Sequence, residues 1–125
     1  MRFMILMVPN GRDESKPGAP PDAEAVAAMM KYNEALQKAG VLLALEGLHP
    51  PSMGARVSFA EGEPEVTDAP SADAREMVGY WMIRVKSKEE AITWAKRCPA
   101  SNDGVLEIRQ VYDLPDAIRQ DIAAT

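Results

Sequence analysis

The stretch "MVGYWMIRV" at residues 77–85 runs directly into "KSKEEAITWAKRCP" at 86–99, and the two carry different periodicities. The first alternates Val78, Tyr80, Met82 and Arg84 against Gly79, Trp81, Ile83 and Val85, the two-residue repeat of a strand with one more polar face. In the second, Ser87 and Glu90 have the spacing of a capping box. Ala91, Trp94, Ala95 and Cys98 then mark one side of a helix that Pro99 must stop. A strand feeding a helix across so short a link predicts that Trp81 and Trp94 both pack between sheet and helix, while Tyr80 looks the other way.

Working outward, "GVLEIRQVYD" at 104–113 reads as a closing strand with Glu107 and Arg109 on one face and Leu106 and Ile108 on the other. Upstream, "ARVSFAEGEPEVTD" at 55–68 gives two short alternating runs around Glu61-Gly62-Glu63-Pro64, a hairpin lying off the main sheet. "VLLALEGL" at 41–48 is too short and too apolar for a helix and reads as a central strand. Residues 23–39 place Val26, Met29, Met30 and Leu36 at helical spacing, with Asp22 as N-cap and Gly40 as the stop. Residues 2–8 are an apolar strand closed by Pro9-Asn10-Gly11, and "RDESKPGAPPD" at 12–22 is an exposed loop.

The resulting order, with the hairpin set aside, is βαββαβ, a ferredoxin-like α+β plan carrying an extra β-hairpin. Two helices cover one face of such a sheet. The other face, bearing Val78, Tyr80 and Met82 beside Arg84, Glu107 and Arg109, points to a homodimer whose sheets enclose a partly polar cavity.

Composition narrows the function. The 125 residues suit one domain over 1–125, built without disulfides, since Cys98 is the only cysteine. A net charge of -5 and a pI near 4.9 leave no cationic face for nucleic acid or an anionic membrane. The apolar run from Phe3 to Val8 is too short for a signal core or a span, so a cytoplasmic protein is expected. No nucleotide-binding glycine loop, paired cysteines or zinc motif occurs, and neither a metal nor another cofactor is expected.

The openings "MRFMILM", "LHPPSMGARVSF", "VTDAPSADAREMVGYWMIRVKSKEEAITWAKRCPA" and "LEIRQVYD" together resemble the YCII-related family, in the branch named for an Asp-Gly-Pro-Phe (DGPF) motif. The resemblance implies a ferredoxin-like fold paired into a dimeric α/β barrel, a superfamily that includes isomerases and monooxygenases. It does not imply one reaction. The naming motif stands here as Asp68-Ala69-Pro70-Ser71, and an ordinary backbone conformation is expected at Ala69. Smaller relatives resemble one another in a helical His and an Asp before Pro; those places fall on Met29 and Cys98, neither of which can do His-Asp acid–base work.

His49, the only histidine, is read in two ways. With Asp68 as partner it is a general base at the cavity mouth; alternatively it ends a strand while Pro50-Pro51 turn the chain. Asp68 is likewise either that partner or a turn residue. Tyr80, Arg84, Glu107 and Arg109 are ligand candidates for a carboxylate-bearing molecule, or intersubunit pairs. Three functions are expected: a small-molecule-binding or accessory homodimer; a lyase, isomerase or cofactor-free oxygenase of the dimeric-barrel type using His49 with Asp68 or Tyr80; or, as the family resemblance alone implies, a partner-binding regulatory module linked to alternative sigma factors. The first is preferred.

Overall fold

A computed structural model describes residues 1–8, 23–70, 77–100 and 104–113. The expected capping role of Asp22 and the turn at 9–11 lie outside them, as does Ser71. The described residues form six strands and two α-helices in the order β1 (Arg2–Val8), α1 (Ala23–Lys38), β2 (Leu42–Gly47), β3 (Ala55–Ala60), β4 (Glu63–Asp68), β5 (Gly79–Arg84), α2 (Lys88–Lys96) and β6 (Val105–Gln110). The main sheet has the order β2-β5-β1-β6, every neighbour antiparallel, and β3-β4 forms its own two-stranded sheet. This is the ferredoxin-like α+β arrangement with a hairpin inserted between its second and third strands.

The core follows the alternation. Phe3 and Ile5 of β1 meet Trp81 and Ile83 of β5 on the helix side, joined by Val85 just beyond β5, by Tyr32 and Leu36 of α1 and by Ala91 of α2. Burying each large side chain of this set contributes roughly 1.5–3 kcal/mol, which is what docks both helices on the same face. Tyr32 and Trp81 meet edge to face with ring centroids 5.7 Å apart. Their polar atoms are satisfied: the Tyr32 hydroxyl donates to the Trp94 carbonyl at 2.7 Å, and the Trp81 indole N–H donates to Asn33 Oδ1 at 2.8 Å.

The cap on α2 forms as the spacing predicts. The Glu90 N–H donates to Ser87 Oγ at 3.1 Å, and Glu90 Oε2 accepts from the Lys86 N–H at 3.0 Å, one residue before the cap. At the end of α1 the Val41 N–H returns to the Leu36 carbonyl at 3.2 Å, the wide bond of a Schellman turn through Gly40.

Four expectations need correction. β2 is an edge strand, not a central one. Its apolar run arises from a bulge between Leu42 and Ala44 that leaves Leu43 45% exposed, not from burial on both faces. The buried stripe of α1 is Tyr32 and Leu36 with Met29 half-buried; Val26 and Met30 are exposed, because Tyr32 can bury its ring once its hydroxyl has a carbonyl to meet. Trp94 packs against the core only in part, its ring under the Arg97 guanidinium at 4.4 Å. Ala69 departs from ordinary backbone, with φ at 50°.

Candidate functional site

The face of the main sheet opposite the helices can be read row by row from the strand register. One row runs Glu46, Tyr80, Leu6, Glu107, and the next runs Ala44, Met82, Met4, Arg109. Beyond them Arg84 stands opposite Arg2. Met4, Leu6, Tyr80 and Met82 are half-buried by their neighbours, while Arg84, Glu107 and Arg109 are exposed. Thus four sequence candidates, Tyr80, Arg84, Glu107 and Arg109, lie on one face around an apolar centre.

That face is electrically polarised. Glu46 and Glu107 lie toward the end where β2 finishes and β5 begins; Arg84 and Arg2 lie at the other end, about 14 Å away at two strand rises per side-chain step. Arg2 is engaged, its Nε 3.3 Å from Asp113 Oδ1 and its Nη2 donating to the Tyr112 carbonyl at 2.9 Å. Among the described residues neither Arg84 nor Arg109 has an ion-pair partner.

His49 lies past the acidic end. The Leu48 N–H donates to the Val78 carbonyl at 2.8 Å, so strand pairing continues to Leu48 before Pro50 and Pro51 turn the chain. Leu48, His49, Pro50, Pro51, Met53 and the buried Pro70 line part of an open cleft of about 340 Å³. Asp68 pairs with Ala55, which also lines it. His49 and Asp68 are therefore neighbours of one cleft, but among the described residues no hydrogen bond or ion pair joins them.

A second hollow, about 270 Å³, opens between α1 and the sheet where Gly47 pairs with Gly79, lined by Met29, Asn33, Leu45 and Trp81 among others. A Cβ on Gly47 would meet nothing within 4 Å, so part of this space is left by the missing side chain there. Met29 brings no titratable group to it. At the far end of α2, burial pushes the Cys98 thiol up to about 11, against any activation by Lys96 and Arg97.

Among the described residues no cluster of three or more His, Cys, Asp or Glu could hold a metal ion, and no helix is long and apolar enough to cross a membrane. The residues that sequence reasoning missed are Met4, Leu6, Ala44 and Glu46. Met4 and Leu6 hid in a uniformly apolar run, in which only Arg2 hints which parity faces away from the core; the bulge in β2 disguised the parity of Ala44 and Glu46.

A model of the YCII-related domain matches residues 1–115. The chain belongs to the YCII-related family. No curated protein matches it. The match spans every described element of this YCII-related chain, including the hairpin and the open sheet face.

Proposed function

We propose that this YCII-related protein is a small-molecule-binding or accessory homodimer, with two open sheet faces enclosing a partly polar cavity in the manner of a dimeric α/β barrel. The observation that carries the reading is the half-buried centre formed by Met4, Leu6, Tyr80 and Met82, which no described helix covers, ringed by Arg84, Arg109 and Glu107. An apolar floor with a few convergent charges favours a ligand with an aromatic or aliphatic body and a carboxylate, which an arginine can grip with two hydrogen bonds. The departure of the Asp68-Ala69-Pro70 turn from the DGPF pattern does not touch this floor.

The enzyme reading, with His49 as base and Asp68 or Tyr80 as partner, has the cleft beside His49 in its favour. It needs a carboxylate to come within reach of the imidazole on dimerisation or ligand binding.

Sedimentation equilibrium at micromolar protein is expected to give a dimer. A panel of aromatic and aliphatic carboxylates is expected to raise the thermal midpoint, with the gain lost in the Arg84→Ala/Arg109→Ala double variant. A monomer, or a midpoint that rises equally in the variant, rejects the reading. Turnover of a panel compound that disappears in His49→Ala would move the assignment to the enzyme.

A further inference from the structure

The β3-β4 hairpin is amphipathic, and no other described element packs on its apolar side. Register places Ala55, Val57 and Phe59 opposite Asp68, Val66 and Pro64 on one side. Every residue of both strands is exposed, with Val57 at 52%, Phe59 at 72% and Val66 at 69%. The turn at its tip is well made for holding two strands straight: Glu61 and Gly62 both have positive φ, 51° and 84°, the two-residue turn whose twist matches the strands. A rigid two-stranded arm with a bare apolar side is marginal in water and calls for a surface to cover it.

We infer that this arm crosses to the second copy of the chain and seats its apolar side on that copy's open sheet face, at the end marked by Arg84. The inference rests on the homodimer reading and adds to it what closes the cavity.

Charge and topology choose this occupant. Between Ala55 and Asp68 the hairpin carries Arg56 against Glu61, Glu63, Glu65 and Asp68, a net acidic segment. No described ion pair engages any of these four carboxylates, nor Arg84 or Arg109. Glu61 at the tip can reach an arginine directly; Glu63 and Glu65 lie on the opposite side from Phe59 and act through the field. The arm leaves its own sheet at the acidic end, beyond Leu48 and Val78. A two-fold axis running across the strands lays that end over the partner's basic end. Six residues per strand then extend about 20 Å, enough to reach from the sheet's end to its centre.

The test uses the whole chain with Cys98→Ser as background, first checked as a dimer by sedimentation. Pro64→Cys and Arg84→Cys are made as separate variants, mixed and mildly oxidised. A covalent dimer of one variant with the other, exceeding what either gives alone, is expected. A normal dimer that gives no such product overturns the arm and leaves the dimer reading standing; a monomer removes the dimer reading and the arm with it. If Pro64→Cys links chiefly to itself, the hairpins pack on each other and the arm is overturned. Independently, Val57→Ser/Phe59→Ser should weaken dimerisation at least roughly tenfold with the far-ultraviolet circular dichroism kept, since neither side chain is buried in its own chain. An unchanged dissociation constant also rejects the arm.

Discussion

Ala69 sits at φ 50°, where a Cβ crowds the following carbonyl and glycine is normally found. Its N–H donates to the Gly54 carbonyl at 2.9 Å, prolonging the hairpin pairing, and the buried Pro70 follows, so the surroundings impose the conformation. Removing the Cβ relieves the strain, offset in part by the larger freedom of glycine in the unfolded chain. Ala69→Gly is expected to raise stability by about 0.5–1 kcal/mol in urea unfolding; a loss would mean that the methyl makes contacts worth more than the strain. A second residue-scale effect concerns alkali. Burial pushes the Cys98 thiol from 9.0 to about 11 and the Tyr32 phenol from 10.0 to about 12, the latter also through the Cys98 charge. Both groups hold their protons more tightly folded than unfolded, so their contribution is complete below pH 9.0 and is lost as pH rises through about 11 to 12. The urea midpoint should fall across that window, and fall less in Cys98→Ser/Tyr32→Phe.

At the scale of elements, the close approach of β2 to β5 depends on one glycine. A Cβ on Gly79 would lie 3.0 Å from the Glu46 carbonyl oxygen and 3.5 Å from Gly47 Cα, backbone atoms that can move only with the whole edge strand. Its partner Gly47 has open space at the same position. Gly79→Ala is expected to cost about 1–3 kcal/mol, whereas Gly47→Ala should be within about 0.5 kcal/mol of wild type or slightly stabilising. Equal effects in thermal unfolding would show that the pairing is looser than the register implies. The same edge explains why β2 is hard to read: Leu43 occupies the bulge, so the count of two breaks there, and four consecutive apolar residues imitate a strand buried on both faces.

For the whole molecule, the polarised sheet face bears on the homodimer proposed above for this YCII-related chain. In that dimer, a two-fold axis across the strands turns the Arg84 end of each copy toward the partner's Glu46 and Glu107 end, while an axis along the strands would set like ends together. The first arrangement predicts that raising sodium chloride from about 50 mM to about 0.5 M weakens the dimer about three- to tenfold, as screened rim pairs of 0.2–1 kcal/mol each would. A dimer that tightens with salt has the other axis or is held by its apolar centre alone.

Local pattern was enough for much of this. The alternation over 77–85, the Ser87-Glu90 cap and the Glu61-Gly62 turn are set by neighbours a few residues apart, so they declare strand, helix start and hairpin without reference to the rest of the chain. The order of elements then leaves two helices for one sheet face, which placed Tyr80, Arg84, Glu107 and Arg109 on the other. What depends on pairing between distant segments was not legible. Strand order demoted β2 to the edge, register brought Met4, Leu6 and Glu46 beside Tyr80, and a carbonyl from α2 made room for Tyr32 in the core. The left-handed turn at Ala69 belongs to the same class, since an alanine adopts it only when contacts made elsewhere outweigh its intrinsic preference.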